Sequence, residues 1–212
     1  MRTLTTLTLI VFAAGCGATD PYANTSYSVD NDDAIQFADD LTANTSVEDD
    51  IADLKFTNKD GQQIALKDYL GQRPLVLVIT RGYSGAICPY CATQTSRLIA
   101  NYDKFRERDT EVVVVYPLEK PADQPNLDMF MSKAVAGLPA DKHQVPFPVL
   151  LDVELKAVNK LGIRKSLSKP ATYIFDREGK VQFAYVGSTL ADRPSVKALL
   201  AQLDRIGKEA AR

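Results

Sequence analysis

The chain has 212 residues, a formal charge of −2, 25% charged and 45% hydrophobic residues, three cysteines and one histidine. Roughly 155 residues beyond the N-terminal region are one domain's worth, enough to bury a core without disulfide staples. No Arg-rich tract and no interleaving of aromatic and basic residues is present, which leaves no case for nucleic acid as a partner.

Arg2 precedes an apolar stretch from Leu4 to Ala14, which ends in small residues directly before Cys16. This is the layout of a secretory signal peptide, over residues 1–15. The stretch is too short to cross a bilayer, which takes about 20 apolar residues in a helix. Ala13-Ala14-Gly15-Cys16 resembles a bacterial lipobox, with Ala13 where Leu is usual. That resemblance implies cleavage before Cys16 and a membrane anchor of acyl chains on Cys16. By the same resemblance Gly17, not being Asp, permits sorting to the outer membrane in a cell that has two. The alternative is an ordinary secretory signal, with the mature protein free in the periplasm or outside the cell. The expectation is an exported cell-envelope lipoprotein facing the periplasm or the cell exterior.

Between Gly17 and Leu54 there are ten acidic residues and no Lys or Arg. Such a segment repels itself and lacks a sizeable core, so residues 16–52 read as an acidic, largely disordered tether. Ala34 to Leu41 has the spacing of a short amphipathic turn. From Lys55 onward the balance reverses, with 24 basic against 17 acidic residues. Contact between the tether and this basic body is one reading; a solvated spacer is the plainer one.

Residues 53–212 form the folded domain. Leu54 to Thr57 and Gln62 to Leu66 flank Asn58-Lys59-Asp60-Gly61, an Asp-Gly hairpin signal, and Lys67 to Leu70 reads as a helical turn. Leu75 to Thr80 is a continuous apolar run, the pattern of a strand buried on both faces. Thr93 to Arg108 carries Leu98, Ile99, Tyr102 and Phe105 at helical spacing, and Glu111 to Tyr116 is a second apolar strand. Strand, helix and strand predict a right-handed parallel unit. Leu127 to Ala136 is a helix, Pro148 to Leu151 a short strand, and Leu155 to Leu161 a short helix ended by Gly162. Thr172 to Asp176 and Lys180 to Val186 form a hairpin, and Pro194 to Ile206 is the last helix. The fold class is α/β: a mixed central sheet flanked by helices, with an N-terminal β-hairpin extension.

Cys88-Pro89-Tyr90-Cys91 follows the first buried strand where a helix should start. The thiolate is cysteine's reactive form, and unpaired N–H groups and the dipole at a helix N-terminus favour it. Cys88, at that end, is expected to be the more exposed sulfur and to attack. Cys91 lies on the same helical face and is expected to resolve. Pro89 suits the first helical position. Arg81 would stabilise a thiolate or hold an anionic substrate group, unless it is only a solvated strand-end Arg. Gly82 and Gly85 give the connecting loop freedom to approach a partner. Tyr90 either modulates access to the sulfurs or is simply an exposed aromatic.

The element order, the dithiol at a strand-to-helix junction and Lys169-Pro170-Ala171-Thr172-Tyr173 ahead of the hairpin together resemble the thioredoxin superfamily. By that resemblance Pro170 is a cis-proline facing the dithiol; a trans proline starting an edge strand is the alternative. Arg81-Gly82 followed by Cys88-Pro89-Tyr90-Cys91-Ala92-Thr93-Gln94 resembles the peroxiredoxin-like branch of the AhpC/TSA redoxins. Typical peroxiredoxins place Thr or Ser three residues before the reactive cysteine and an Arg near the hairpin. Here Gly85 and Pro170 stand at those places, and Ser84, Arg81 and Arg164 are the candidates to replace them.

The expected function is thiol–disulfide exchange on exported protein disulfides or small thiols, with Cys88 and Cys91 catalytic and an external thiol donor or acceptor resetting the pair. The first alternative is a thiol-dependent hydroperoxide reductase, with Cys88 peroxidatic and Cys91 resolving. The second is a copper-binding or client-binding module, which for copper would add His143 to the cysteines. Copper-delivery proteins of this fold have Cys-x-x-x-Cys and a histidine closer to the final hairpin, so no metal or other cofactor is expected and His143 reads as a solvated loop residue.

Overall fold

The computed structural model describes residues 35, 37–47 and 49–210. Residues 1–15, where a signal peptide is expected, Cys16 and the larger part of the acidic segment lie outside them. In chain order the elements are β1 (Lys55–Thr57), β2 (Gln63–Ala65), β3 (Leu75–Ile79), α1 (Pro89–Ala100), α2 (Tyr102–Arg106), β4 (Glu111–Leu118) and α3 (Asn126–Val135). They continue with β5 (Val149–Val153), α4 (Lys156–Lys160), β6 (Arg164–Lys165), β7 (Leu167–Ser168), β8 (Ala171–Phe175), β9 (Val181–Val186) and α5 (Val196–Ala210).

Seven strands form one mixed sheet in the order β2-β1-β5-β4-β3-β8-β9. The centre, β3 with β4 and β4 with β5, is parallel; the pairs β1–β2, β1–β5, β3–β8 and β8–β9 are antiparallel. The apolar runs explain the layering, because alternate residues of a strand face opposite sides. Leu75, Leu77, Ile79, Val113 and Val115 face the N-terminal hairpin and α4 side. Val76, Val78, Val112 and Val114 pack with Leu98, Ile99 and Phe105 and with Leu199, Leu203 and Ile206 of α5. Full burial of each such side chain contributes about 1.5–3 kcal/mol.

Three local features differ from the sequence expectation. The helix expected to run to Arg108 breaks at Asn101, whose φ of −111° and ψ of 13° are not helical. Its side-chain amide donates to the Arg97 carbonyl at 2.9 Å, competing with the backbone ladder. A small hairpin of β6 and β7 turns at Ser166 (φ 54°) ahead of β8. The short helix α4 is preceded by Glu154 and Leu155 at positive φ, and the buried Asp152 carboxylate accepts its Ala157 and Val158 amides at 2.9 Å each.

The acidic segment is a strap over residues 37–47, not a free spacer. Asn44 exchanges side-chain hydrogen bonds with both backbone groups of Val186, at 2.9 Å each, on the outer edge of β9. Asp39 accepts from Ser195 Oγ at 2.6 Å and Lys197 Nζ at 2.9 Å, and Gln202 of α5 donates to the Leu41 carbonyl. Ala38 pairs with the backbone around Pro194. The physical reason is the charge reversal along the chain together with an otherwise open sheet edge, whose backbone groups the strap covers.

Candidate active site

The loop between β3 and α1 is fastened at several points before it reaches the dithiol. Thr80 donates both its amide and its hydroxyl to the Val115 carbonyl, at 3.0 Å each. Gly82 has φ 91°, and a Cβ there would lie 2.1 Å from the Pro117 carbonyl oxygen, so only glycine fits. The Tyr83 amide donates to that same carbonyl. Gly85 also has positive φ, but space around it is open. The close approach expected of the glycines is therefore to the chain's own β4, at Gly82.

Cys88 is the N-cap of α1, with an extended backbone, and Pro89 occupies the first helical position. Both expectations follow from the physics of a helix start. The Cys88 carbonyl accepts the amides of Cys91 and Ala92 at 3.1 Å, which sets the two sulfurs one turn apart. Neither cysteine is in a disulfide. Cys88 is 5% exposed and Cys91 is fully buried. Tyr90 is half-buried and packs onto the cluster holding Ile87, Cys88 and Cys91.

Three groups converge on the Cys91 sulfur. Arg193 Nη2 and the Arg81 backbone amide each lie 3.4 Å from Cys91 Sγ, and the Cys88 thiol is the third group that acts on it. Burial alone would push the Cys91 thiol up; the Cys88 hydrogen bond, the Arg193 charge and the Arg81 N–H outweigh it and bring Cys91 down to about 5. Cys88 shifts the opposite way, because it donates to Cys91, is buried and faces the Cys91 charge. The two shifts run in opposite directions and favour the thiolate at Cys91, the sulfur that the Arg193 guanidinium faces at 3.4 Å.

Arg193 is 1% exposed, on the segment entering α5. Its Nε donates to the Leu190 carbonyl and its Nη1 to Gln94 Oε1 of α1, both at 2.6 Å. The cation at the dithiol is thus none of the candidates Ser84, Arg81 and Arg164 but Arg193, and it contacts Cys91 and not Cys88. Arg81 turns its guanidinium to Ser84 Oγ at 3.0 Å, and Arg164 pairs with Glu119 at 2.9 Å on the surface. The sequence carries little signal for Arg193 beyond an Arg directly before Pro194, two residues ahead of α5.

Pro170 is a correction. No cis peptide bond occurs among the described residues, so the Lys169–Pro170 bond is trans. The Ser168 amide donates to the Arg81 carbonyl at 3.2 Å and the Lys169 amide to the Ile163 carbonyl at 2.8 Å. These bonds hold the chain extended ahead of the proline, the conformation a following proline favours. Pro170 is buried next to Ala171, which pairs with Ile79, so it does stand at the dithiol end of the sheet.

Tyr116 of β4 is a second residue that sequence reasoning missed. Its ring stacks on Phe130 with centroids 4.2 Å apart, and it shares the buried cluster of Cys88 and Cys91. Its hydroxyl is buried without a hydrogen-bond partner. Burial, then the cysteines' charge, push the phenol well above its usual range, so it stays protonated. His143 is exposed and donates through Nε2 to the Leu138 carbonyl at 2.9 Å. Among the described residues no group of three His, Cys, Asp or Glu side chains is arranged to hold a metal ion.

Residues 47–184 match the model of the AhpC/TSA family. No curated protein sequence matches the chain. Among solved structures, a cysteine-to-serine mutant of peroxiredoxin 6 of Arenicola marina aligns with a TM-score of 0.62 at 15% identity, over 82% of this chain and 76% of that one. The peroxidoxin BcpB from Mycobacterium tuberculosis aligns at 0.56 and 20% identity, over 79% and 99%. A secreted M. tuberculosis disulfide oxidoreductase homologous to E. coli DsbE aligns at 0.53 and 16% identity, over 74% and 99%. At these identities the likeness is one of fold, a thioredoxin-like sheet flanked by helices.

Proposed function

Because the chain belongs to the AhpC/TSA family, we propose that it is a thiol–disulfide oxidoreductase whose Cys88/Cys91 couple exchanges electrons with thiols and disulfides of exported proteins or small molecules. One observation carries this reading: Cys88, at the helix start, is the less enclosed residue of the pair, 5% exposed against none for Cys91, whose sulfur faces the buried Arg193 guanidinium. A partner sulfur therefore meets Cys88 and forms the mixed disulfide there. Cys91 completes the exchange from inside, where its anion is ready as a nucleophile or leaving group. Each full exchange makes one disulfide bond and breaks another, and two electrons move with it. An external thiol donor or acceptor resets the couple.

The same proposal sets the enzyme in the cell envelope. The support is Ala13-Ala14-Gly15-Cys16 and the apolar stretch before it, which would export the chain and anchor it through Cys16.

A second reading, hydroperoxide reduction, is favoured by the peroxidoxin BcpB and peroxiredoxin 6 among the similar folds. Cys88 would take the peroxide oxygen as a sulfenic acid, releasing an alcohol, and Cys91 would condense with it, releasing water. Arg193 counts against it, because the cation lies on Cys91 and not on the sulfur that would meet peroxide.

The test uses purified protein with Cys88→Ser and Cys91→Ser as controls. Disulfide exchange with insulin or glutathione that needs Cys88, without peroxide consumption, is expected. Peroxide turnover lost in Cys88→Ser would replace this reading with the second.

A further inference from the structure

Among the described residues Arg193 is the largest of the fully buried side chains, and its guanidinium is a cation. Among the described residues no Asp or Glu pairs with it; its contacts are the Leu190 carbonyl, Gln94 Oε1 and Cys91 Sγ. The carboxylate next to it in sequence, Asp192, is committed to Ser188 and to the Tyr185 hydroxyl. A buried charge without a counter-ion is strongly destabilising. The one group in contact with Arg193 that can supply the opposite charge is the Cys91 sulfur, and it can do so only while it is a thiolate.

From this we infer that the buried Arg193–Cys91 contact makes the couple an oxidant, so that the Cys88–Cys91 disulfide takes electrons from thiol pairs of its substrates. This rests on the thiol–disulfide exchange reading and gives it a direction. In the reduced chain Arg193 has its counter-ion; in the disulfide the Cys91 sulfur is neutral and Arg193 is left buried with neutral partners. Stabilising the reduced form is what makes a dithiol couple oxidising.

The less enclosed position of Cys88 agrees with this direction. A substrate thiolate attacks Cys88 Sγ, the Cys88–Cys91 bond breaks, and its electron pair leaves on Cys91 against Arg193. A leaving thiolate of low pKa departs faster. The second substrate thiolate then attacks the substrate sulfur of the mixed disulfide. A substrate disulfide forms, and Cys88 departs with the electron pair and takes one proton. The substrate gives up two electrons and two protons; the chain keeps both electrons and one proton, and one proton goes to solvent.

That missing proton is measurable. The groups around Cys91 are Cys88 of α1, Arg193 ahead of α5, Arg81 in the preceding loop and the phenols of Tyr116 and Tyr83. Tyr116 remains a neutral phenol, and Cys88, pushed up, remains a thiol, so between pH 6 and 8 reduction takes up one proton. For two electrons and one proton, the equilibrium changes tenfold per pH unit, ~30 mV.

The experiment equilibrates the full-length protein with glutathione buffers from pH 6 to 8, following the fraction reduced and the thiolate absorbance near 240 nm. A slope of ~30 mV per pH unit is expected, with thiolate absorbance in the reduced form throughout. Arg193→Gln is expected to lose about a hundredfold in the equilibrium constant at pH 7, ~60 mV toward reducing potentials, and to steepen the slope to ~60 mV per unit. Arg193→Lys should retain part of the effect. If Arg193→Gln does not fold, the wild-type slope and absorbance still decide. A wild-type slope of ~60 mV per unit, or no thiolate absorbance below pH 8, overturns the inference while leaving disulfide exchange standing. Failure of Cys88 and Cys91 to exchange with glutathione at all instead overturns the exchange reading beneath it.

Discussion

At Gly82 two separate constraints fall on one residue. Its φ of 91° lies in the left-handed region, and the position a Cβ would take is 2.1 Å from the Pro117 carbonyl oxygen. Gly82→Ala must therefore move the loop off β4, and with it the Arg81 amide that donates to Cys91 Sγ. Backbone strain of this kind costs about 1–3 kcal/mol before any steric term is added. Denaturant unfolding of the reduced protein is expected to show a loss of about 3 kcal/mol or more. A loss under about 1 kcal/mol, the low end of that strain, would mean that the loop is not fixed by this contact. Cys88, Pro89 and Cys91 were legible as a site because their chemistry is packed into four consecutive positions. Arg193 was not, since it reaches Cys91 across 102 positions, and nothing local distinguishes a buried Arg from a solvated one. Tyr116 was hidden for the opposite reason: in a fully apolar run, a tyrosine reads as one more core aromatic.

Elements whose periodicity is decided by burial on both faces were the readable ones. β3 and β4 appeared in the sequence as unbroken apolar runs, and the hairpin of β1 and β2 was signalled by Asn58 and Gly61, which make its turn. The break between α1 and α2 was not readable, because Asn101 ends the helix through a side-chain bond that an Asn elsewhere on a helix need not make. The strap was misread for a similar reason. Composition describes what residues 37–47 do in isolation, whereas their order comes from partners more than a hundred residues away on β9 and α5. Asn44 is the point where this can be tested. Asn44→Ala removes both side-chain bonds to the Val186 backbone, and each such bond is worth about 1 kcal/mol. The expected outcome is a stability loss of about 1–2 kcal/mol and faster hydrogen exchange at the Val186 amide. Unchanged exchange there would show that the strap does not protect the β9 edge in solution.

For the molecule as a whole, the cost of burying Arg193 falls on one redox state, so stability and redox state are linked. An ordinary disulfide stabilises a fold by restricting the unfolded chain, but one that closes only the short Cys88–Cys91 loop gains little by that route. Against it stands the loss of the Arg193 counter-ion on oxidation. The reduced protein is therefore expected to resist denaturant better than the oxidised protein at neutral pH, the reverse of a structural disulfide. The pH dependence follows from the sign of the Cys91 shift. In the reduced fold Cys91 is lowered to about 5, while in the unfolded chain a cysteine titrates near ~8.5. A lowered pKa contributes stability that is complete above the unfolded value and is lost as pH falls through the folded one. The disulfide has no such group, so it serves as the reference. Paired denaturation curves should show the advantage of the reduced form growing between about pH 5 and 8.5, by at most ~1.4 kcal/mol per unit. Arg193→Gln should flatten that growth, because the unfolded chain is unaffected and the folded Cys91 loses the charge that holds it down. A gap between the redox forms that stays constant across that window would mean that the folded dithiol keeps both its protons and carries no thiolate.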